Sequence, residues 1–162
     1  MGMDVSGLDP VINKSRQDFP MLIKWEDKTW PEREEDKDWD KEREQYWKED
    51  NEWNKANPGI YFRNNCWWWR PLWDFCAYHC PDLISDDIHS GGHYNDGAGL
   101  NAESAAKLGV QLLSLIEDGT VAAHQKEVEL DQEDKEYKYP FDVENVKAFA
   151  DFCIQSGGFE IW

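Results

Sequence analysis

Basic residues are scarce in this sequence. Lys and Arg number 17 among 162 residues, against 34 Asp and Glu, so the formal net charge is −17 at pH 7. Direct binding of nucleic acid, or of an anionic membrane surface, needs basic side chains that neutralise phosphates, so the composition argues against both. An acidic surplus suits solubility, or docking onto a basic protein surface that normally holds nucleic acid.

Long apolar runs and export signals are missing as well. The longest apolar candidate, LGVQLLSLI at residues 108–116, is too short to span a bilayer. The first residues, MGMDVSG, lack the basic and apolar regions of a signal peptide. With only four cysteines, we expect free thiols or metal ligands in a reducing compartment. The sequence predicts a cytoplasmic protein with one domain, residues 1–162.

Familiar catalytic signatures are absent too. The glycine-rich segment GGHYNDGAG, residues 91–99, lacks both the ending of a Walker A loop and the spacing of a dinucleotide fingerprint. No residue is marked as the activating partner of a Cys–His pair. We therefore expect a protein that is not an enzyme, while a metal-dependent or Cys–His enzyme stays open as the alternative.

Helix signals dominate what is present. Thr29-Trp30-Pro31-Glu32 has the pattern of a capping box, and Asn57-Pro58-Gly59 is a stop signal, so residues 25–57 are predicted to form an acidic, charged helical segment. Its aromatic stripe is expected to pack against the body of the protein. Further helices are predicted over 71–80, 102–118, 121–136 and 143–155. Short strands at both termini complete a mainly α (α+β) fold, and these strands are expected to pair.

A tryptophan-rich block, YFRNNCWWWRPLWDFCAYHC at residues 61–80, holds four of the ten tryptophans and three of the four cysteines. Three consecutive tryptophans cannot all face one side of a helix or strand, so at least one must point away from the others. Because proline suits the first turn of a helix, Pro71 is predicted to start one. Trp67, Trp68 and Trp69 are then expected to be extended or in a turn.

Two interpretations of this block stay open. In the first, the tryptophans are core and the arginines pair with nearby acids such as Asp74. Alternatively, the rings stack on a base while the arginines, and amides of the glycine-rich loop, hold phosphate. The candidate ligand-binding residues are Arg63, Trp67, Trp68, Trp69, Arg70, His93, Asn95 and Asp96.

A zinc site is a further alternative. Cys76 and Cys80, then His89 and His93, are each separated by three residues, as zinc ligands often are. Only eight residues separate Cys80 from His89, and Cys76 lies on the apolar face of its predicted helix. Small buried thiols are the default for such cysteines, so no cofactor is expected.

Four segments together resemble a family of small proteins found mostly in phages and prophages: MGMDV, YFRNNCWWWRPLW, YPFDVENVKAFADFC and SGGFEIW. That family has no established activity. Its members often carry a zinc-knuckle-like insertion before YPFD, and this chain has no cysteine between Cys80 and Cys153. The resemblance implies a phage setting, in the cytoplasm of the infected bacterial host, and a counter-defence role in immune evasion.

The leading hypothesis is a protein that is not an enzyme and sequesters a small anionic, nucleotide-like ligand of host immunity. The alternative is an acidic, anti-CRISPR-like inhibitor that covers the nucleic-acid-binding surface of a host defence protein. Neither hypothesis involves direct contact with nucleic acid or membrane, and self-association stays open.

Overall fold

The computed structural model describes residues 2–136 and 138–162. The chain divides into two compact units: a main unit of residues 1–11 and 58–162, and an insert of residues 12–57. The expectation of a single domain stays a prediction. Within the described residues, no helix is both long enough and apolar enough to cross a membrane.

Short strands are interspersed with helices of 5 to 18 residues. The strands are β1 (Gly2–Gly7), β2 (Tyr61–Asn65), β3 (Ala98–Asn101) and β4 (Gly158–Ile161). The helices are α1 (Pro20–Lys24), α2 (Trp30–Glu34), α3 (Trp39–Ala56), α4 (Cys66–His79), α5 (Asp86–Gly91), α6 (Ala102–Glu117), α7 (Thr120–Asp131) and α8 (Val143–Gln155). The predicted α+β class with short terminal strands is confirmed.

The main unit contains one antiparallel sheet with the strand order β2-β1-β4-β3. The two terminal strands pair as predicted, with Val5 opposite Ile161. Both of these side chains are fully buried, because alternate residues of a strand face the same side and here face the helices. Strand β3 was not predicted, since its sequence AGLN continues the glycine-rich segment and resembles a turn.

Helix starts in the main unit follow their capping residues. The side chains of Asn101 and Asp142 accept hydrogen bonds from the backbone N–H groups of Ser104 and Asn145, as the sequence predicts for the first turns of α6 and α8. These two helices pack closely at Gly109, where a Cβ atom would lie 2.6 Å from the Ala150 carbonyl oxygen. A glycine is therefore required for the close contact between α6 and α8.

The prediction that Pro71 starts a helix is wrong. Helix α4 begins at Cys66, because the Asn65 side chain caps it by accepting hydrogen bonds from the N–H groups of Trp67 and Trp68 at 3.0 and 3.1 Å. Pro71 lies inside the helix and cannot donate the backbone hydrogen bond of an ordinary residue there. The expectation that Trp67–Trp69 precede the helix is therefore also wrong.

The helical geometry separates the three consecutive tryptophans. Trp69 is fully buried and stacks on Trp73, one turn later, with ring centroids 5.3 Å apart. Trp67 is 43% exposed and contacts the ring of Tyr139. The expectation that at least one of the three points away from the others is confirmed.

The insert has an aromatic core of its own, formed by Phe19, Leu22, Trp25, Trp39 and Tyr46. The predicted single helix over this region is instead two helices, α2 and α3. Between them the Asp36 carboxylate accepts a hydrogen bond from the Asp38 N–H at 2.9 Å and forms an ion pair with Lys28. Short side chains that bond to nearby backbone groups stabilise turns rather than continuous helix, which accounts for the break.

Acidic residues of the insert have internal partners. Glu49 is only 8% exposed and accepts a hydrogen bond from the backbone N–H of Met21 at 2.8 Å. Glu42 pairs with Lys24 and accepts a hydrogen bond from the Trp25 indole at 3.1 Å.

The insert holds 14 acidic and 10 basic residues, whereas the rest of the chain holds 20 acidic and 7 basic residues. Most of the acidic surplus therefore lies in the main unit, outside the predicted acidic segment.

The contrast between Trp69 and Trp67 gives a test of the fold. We expect Trp69→Ala to lower the free energy of unfolding by about 3–5 kcal/mol, because it leaves a cavity in the core. Trp67→Ala should cost roughly 1 kcal/mol or less, since surface side chains contribute little. Urea denaturation of both variants measures the difference, and equal losses would contradict the assignment of Trp69 to the core.

A second pair of variants tests the internal role of acidic residues in the insert. Glu49→Ala removes a buried acceptor, so we expect it to destabilise the insert by about 1–3 kcal/mol. Glu44→Ala, at an exposed position on the same helix, is the matched control and should have little effect. Hydrogen exchange of the amides in α1 and α3 reports both, and unchanged protection in Glu49→Ala would refute the interpretation.

Candidate metal and ligand sites

Three polar side chains converge at the surface of α4. Asp74 lies on the exposed face of that helix, His89 lies in the last turn of α5, and His93 follows α5 by two residues. Two buried tryptophans of α4 fix this arrangement. Trp73 donates its indole N–H to the carbonyl oxygen of His89 at 3.0 Å, and Trp69 donates to that of Gly92 at 2.7 Å.

The three side chains present one ligand atom each to a common point. The Asp74 Oδ1 atom lies 2.7 Å from His89 Nε2 and 3.1 Å from His93 Nε2, and the two nitrogens are 3.3 Å apart. The Asp74 side chain is 57% exposed, while those of His89 and His93 are 35% and 25% exposed. The cluster is therefore anchored on the histidine side and open to solvent on the carboxylate side.

The predicted zinc ligands are only partly brought together. His89 and His93 meet, but the group to which they belong contains Asp74 rather than a cysteine. Cys76 and Cys80 are buried, and burial raises the pKa of Cys80 to about 11 and that of Cys76 well above its usual value. Since a thiol must lose its proton to bind a metal, these cysteines are poorly suited as ligands.

Asp74 was missed as a candidate because no local spacing marks it. It lies 15 residues before His89 and 19 before His93, and the sequence suggests it only as an ion-pair partner for the arginines. The sequence signal that existed was the spacing of His89 and His93, which places two imidazoles close together.

The predicted nucleotide-binding residues differ in their surroundings, although Arg63 and Asn95 both lie beside Gly2. Arg63 pairs with Asp4 at 3.4 Å, and Trp69 is buried in the core. Trp68 lines a cleft of about 350 Å³ beside α7, a cleft whose lining includes none of residues 93–96.

The loop residues of the predicted pocket have other partners. Asn95 donates to the carbonyl oxygen of Gly2 at 3.1 Å, and the Asp96 carboxylate accepts a hydrogen bond from the Ala98 N–H at 3.4 Å. Arg70 is exposed on α4, one turn before Asp74.

A second feature shares Asp74 with the cluster. This is a groove of about 750 Å³, which we call the α4–α7 groove, lined by Pro71, Asp74, Phe75, Tyr78, His79, Thr120, Ala123, His124 and Glu127. On each helix these positions recur at intervals of three or four residues, so one face of α4 and one face of α7 form its walls. Of the four histidines of the chain, His79 and His124 line the groove, and His89 and His93 contact Asp74.

Aromatic rings form the inner surface of this groove. The Phe75 ring centroid lies 5.1 Å from that of His124 and 4.3 Å from that of His79. Burial lowers the pKa of His124, an effect that nearby Glu127 opposes and His79 reinforces. The environment of His124 therefore favours its uncharged form.

Comparisons with protein-family models, with curated proteins and with solved structures found no match. The resemblance to a phage family thus stays a prediction.

The environment of His124 predicts a pH dependence of stability. Its pKa in the folded protein is lower than in the unfolded chain, so the unfolded chain binds the proton more readily as the pH falls below about 6.5. The titration of His124 therefore lowers the free energy of unfolding as the pH falls from 7 to 5.

We expect His124→Gln, which cannot titrate, to lose less stability than the wild type over that range. Urea denaturation at pH 7, 6 and 5 measures the difference, and identical pH profiles for the two proteins would contradict it.

Proposed function

We propose that the protein binds one divalent transition-metal ion through Asp74 Oδ1, His89 Nε2 and His93 Nε2. The observation that carries this proposal is the convergence of these three atoms, at 2.7, 3.1 and 3.3 Å from one another. Two histidines and one carboxylate on one side of an ion are a recurrent ligand set for Fe(II) and related metals.

The distances between the three atoms are those expected of ligands that bind one metal ion. Metal bonds from imidazole nitrogen and carboxylate oxygen are about 2.0–2.2 Å long, and ligands at that distance lie roughly 3 Å apart. Asp74, His89 and His93 would hold the ion through one atom each, and the ion would keep coordination positions for water or a further ligand. Structural zinc sites are instead closed by four protein ligands, so this set favours a site that does chemistry or binds a further molecule.

The solvent exposure of the cluster supports the same conclusion. Asp74 and His89 both line a cleft of about 600 Å³, and Asp74 also lines the α4–α7 groove. A metal ion there would be reachable from both clefts, and a bound ion lowers the pKa of coordinated water to near 7 in hydrolytic enzymes. The class of function favoured by this geometry is therefore metal-dependent.

Sequestration of an anionic nucleotide-like ligand, inhibition of a host defence protein and a phage origin all stay predictions. Trp69 is buried and Trp68 lines a cleft without residues 93–96, so these rings give the nucleotide hypothesis less support than the metal hypothesis has. The internal partners of Glu42 and Glu49 likewise reduce the number of insert carboxylates available for docking.

Metal titration tests the proposal. After treatment with a chelator, calorimetry with Zn²⁺, Co²⁺, Ni²⁺ and Mn²⁺ should show one ion bound per chain. Asp74→Asn, His89→Ala and His93→Ala should each weaken binding at least about tenfold, since loss of even an indirect partner of a metal ligand costs that much. Affinity should fall as the pH is lowered from 7.5 to 6, because protons compete for the imidazoles.

The two other histidines provide matched controls. His79→Ala and His124→Ala remove imidazoles of the same protein that lie outside the cluster, and they should retain the metal affinity of the wild type. Absence of heat with every ion, or equal losses in the control variants, would refute the proposal.

A further inference from the structure

We propose that the α4–α7 groove is a binding site for a small organic cation with an aromatic or apolar body. The groove shares Asp74 with the metal cluster, but its other lining residues lie outside the cluster, and this inference does not depend on a metal being bound. Its basis is the charge, the aromatic lining and the shape of the groove.

The fixed charges of the groove are negative. Asp74 on α4 and Glu127 on α7 contribute a carboxylate to opposite walls, and none of the nine lining residues is Lys or Arg. Asp118, just before α7, adds a third carboxylate near His79, and hydrogen bonds from Thr120 followed by the proximity of His79 lower its pKa. An anionic ligand would be repelled here, whereas an ammonium group would find a carboxylate on either side.

The lining between these carboxylates is largely aromatic. Phe75, Tyr78, His79 and His124 lie in the groove, and the ring centroids of Tyr78 and His79 are 5.0 Å apart. Aromatic faces attract cations, and they also pack against an apolar ligand body. Because burial favours the uncharged form of His124, that ring adds surface to the groove without adding positive charge at neutral pH.

The shape of the groove fits a small molecule. Its volume of about 750 Å³ lies within the usual range of roughly 300–1,000 Å³ for ligand pockets. Pro71, Phe75 and Ala123 supply an apolar surface, and Asp74 and Glu127 supply one carboxylate from each helix. The groove thus has the mostly apolar lining and few polar groups of a small-molecule site.

Three probes with one apolar body and different charges test the inference. They are 2-phenylethylammonium, 2-phenylethanol and phenylacetate, titrated into chelator-treated protein at pH 8, above the usual pKa of histidine. We expect the cation to bind about tenfold more tightly than the alcohol, because two carboxylates and several rings favour the charge, and the carboxylate probe to bind most weakly. Calorimetry gives the affinities, and the methyl NMR signals of Ala123 and Thr120 report the location.

Variants of α7 separate the groove from the rest of the surface. Ala123→Phe places a bulky ring in the groove and should weaken the binding of the cation and the alcohol. Glu127→Gln should weaken binding of the cation about threefold, the size of an exposed ion pair, and leave binding of the alcohol unaffected. Glu129→Gln, which removes a carboxylate of the same helix outside the groove, is the matched control. Thermal unfolding checks that each variant is folded.

The outcomes also distinguish this inference from the metal proposal. Glu127→Gln should weaken binding of the cation and keep the metal affinity, whereas Asp74→Asn should weaken both. Equal affinity for cation and alcohol, no binding of any probe, or unchanged binding in a folded Ala123→Phe variant would overturn the inference.

Discussion

Two indole hydrogen bonds connect the core of the main unit to the backbone of the candidate metal site. Trp69 and Trp73 lie one turn apart on α4, are both fully buried, and donate to the carbonyl oxygens of Gly92 and His89. A buried indole N–H without a partner would cost free energy, so these bonds stabilise the core and hold the backbone around the two histidines. Gly92 is required for the arrangement, because a Cβ atom there would lie 2.2 Å from the Trp73 indole nitrogen.

The consequence for function follows from where Asp74 lies. It is the residue after Trp73, so the helix turns it away from the core while the preceding residue is buried. The helix that supplies the anchor therefore also supplies the carboxylate, and the distances from Asp74 to His89 and His93 depend on how the backbone of His89 and Gly92 is held against α4. Sites held on rigid elements in this way keep their geometry without a bound ligand.

Asp74 also joins the metal cluster to the α4–α7 groove. An ion bound at the cluster would neutralise one of the carboxylates that face a cation in the groove, so occupancy of either site would change the affinity of the other. The same residue cannot serve both sites at full charge. Metal and organic cation are therefore expected to oppose each other in binding.

Local patterns in the sequence determined much of the fold. The capping residues Asn101 and Asp142, the stop signal after Ala56 and the alternation of Met3 and Val5 each depend on neighbours within a few residues, so their structures could be predicted. The spacing of His89 and His93 likewise predicted two ligands of the candidate site.

Tertiary structure decided the rest. The helix that contains Pro71 forms because Asn65 caps it and because Trp69 and Trp73 are buried on one face. Neither fact can be deduced from the helix propensities of the residues alone. Asp74 and the two histidines belong to segments that are separate along the chain. Only the packing of α5 against α4 brings these three residues together.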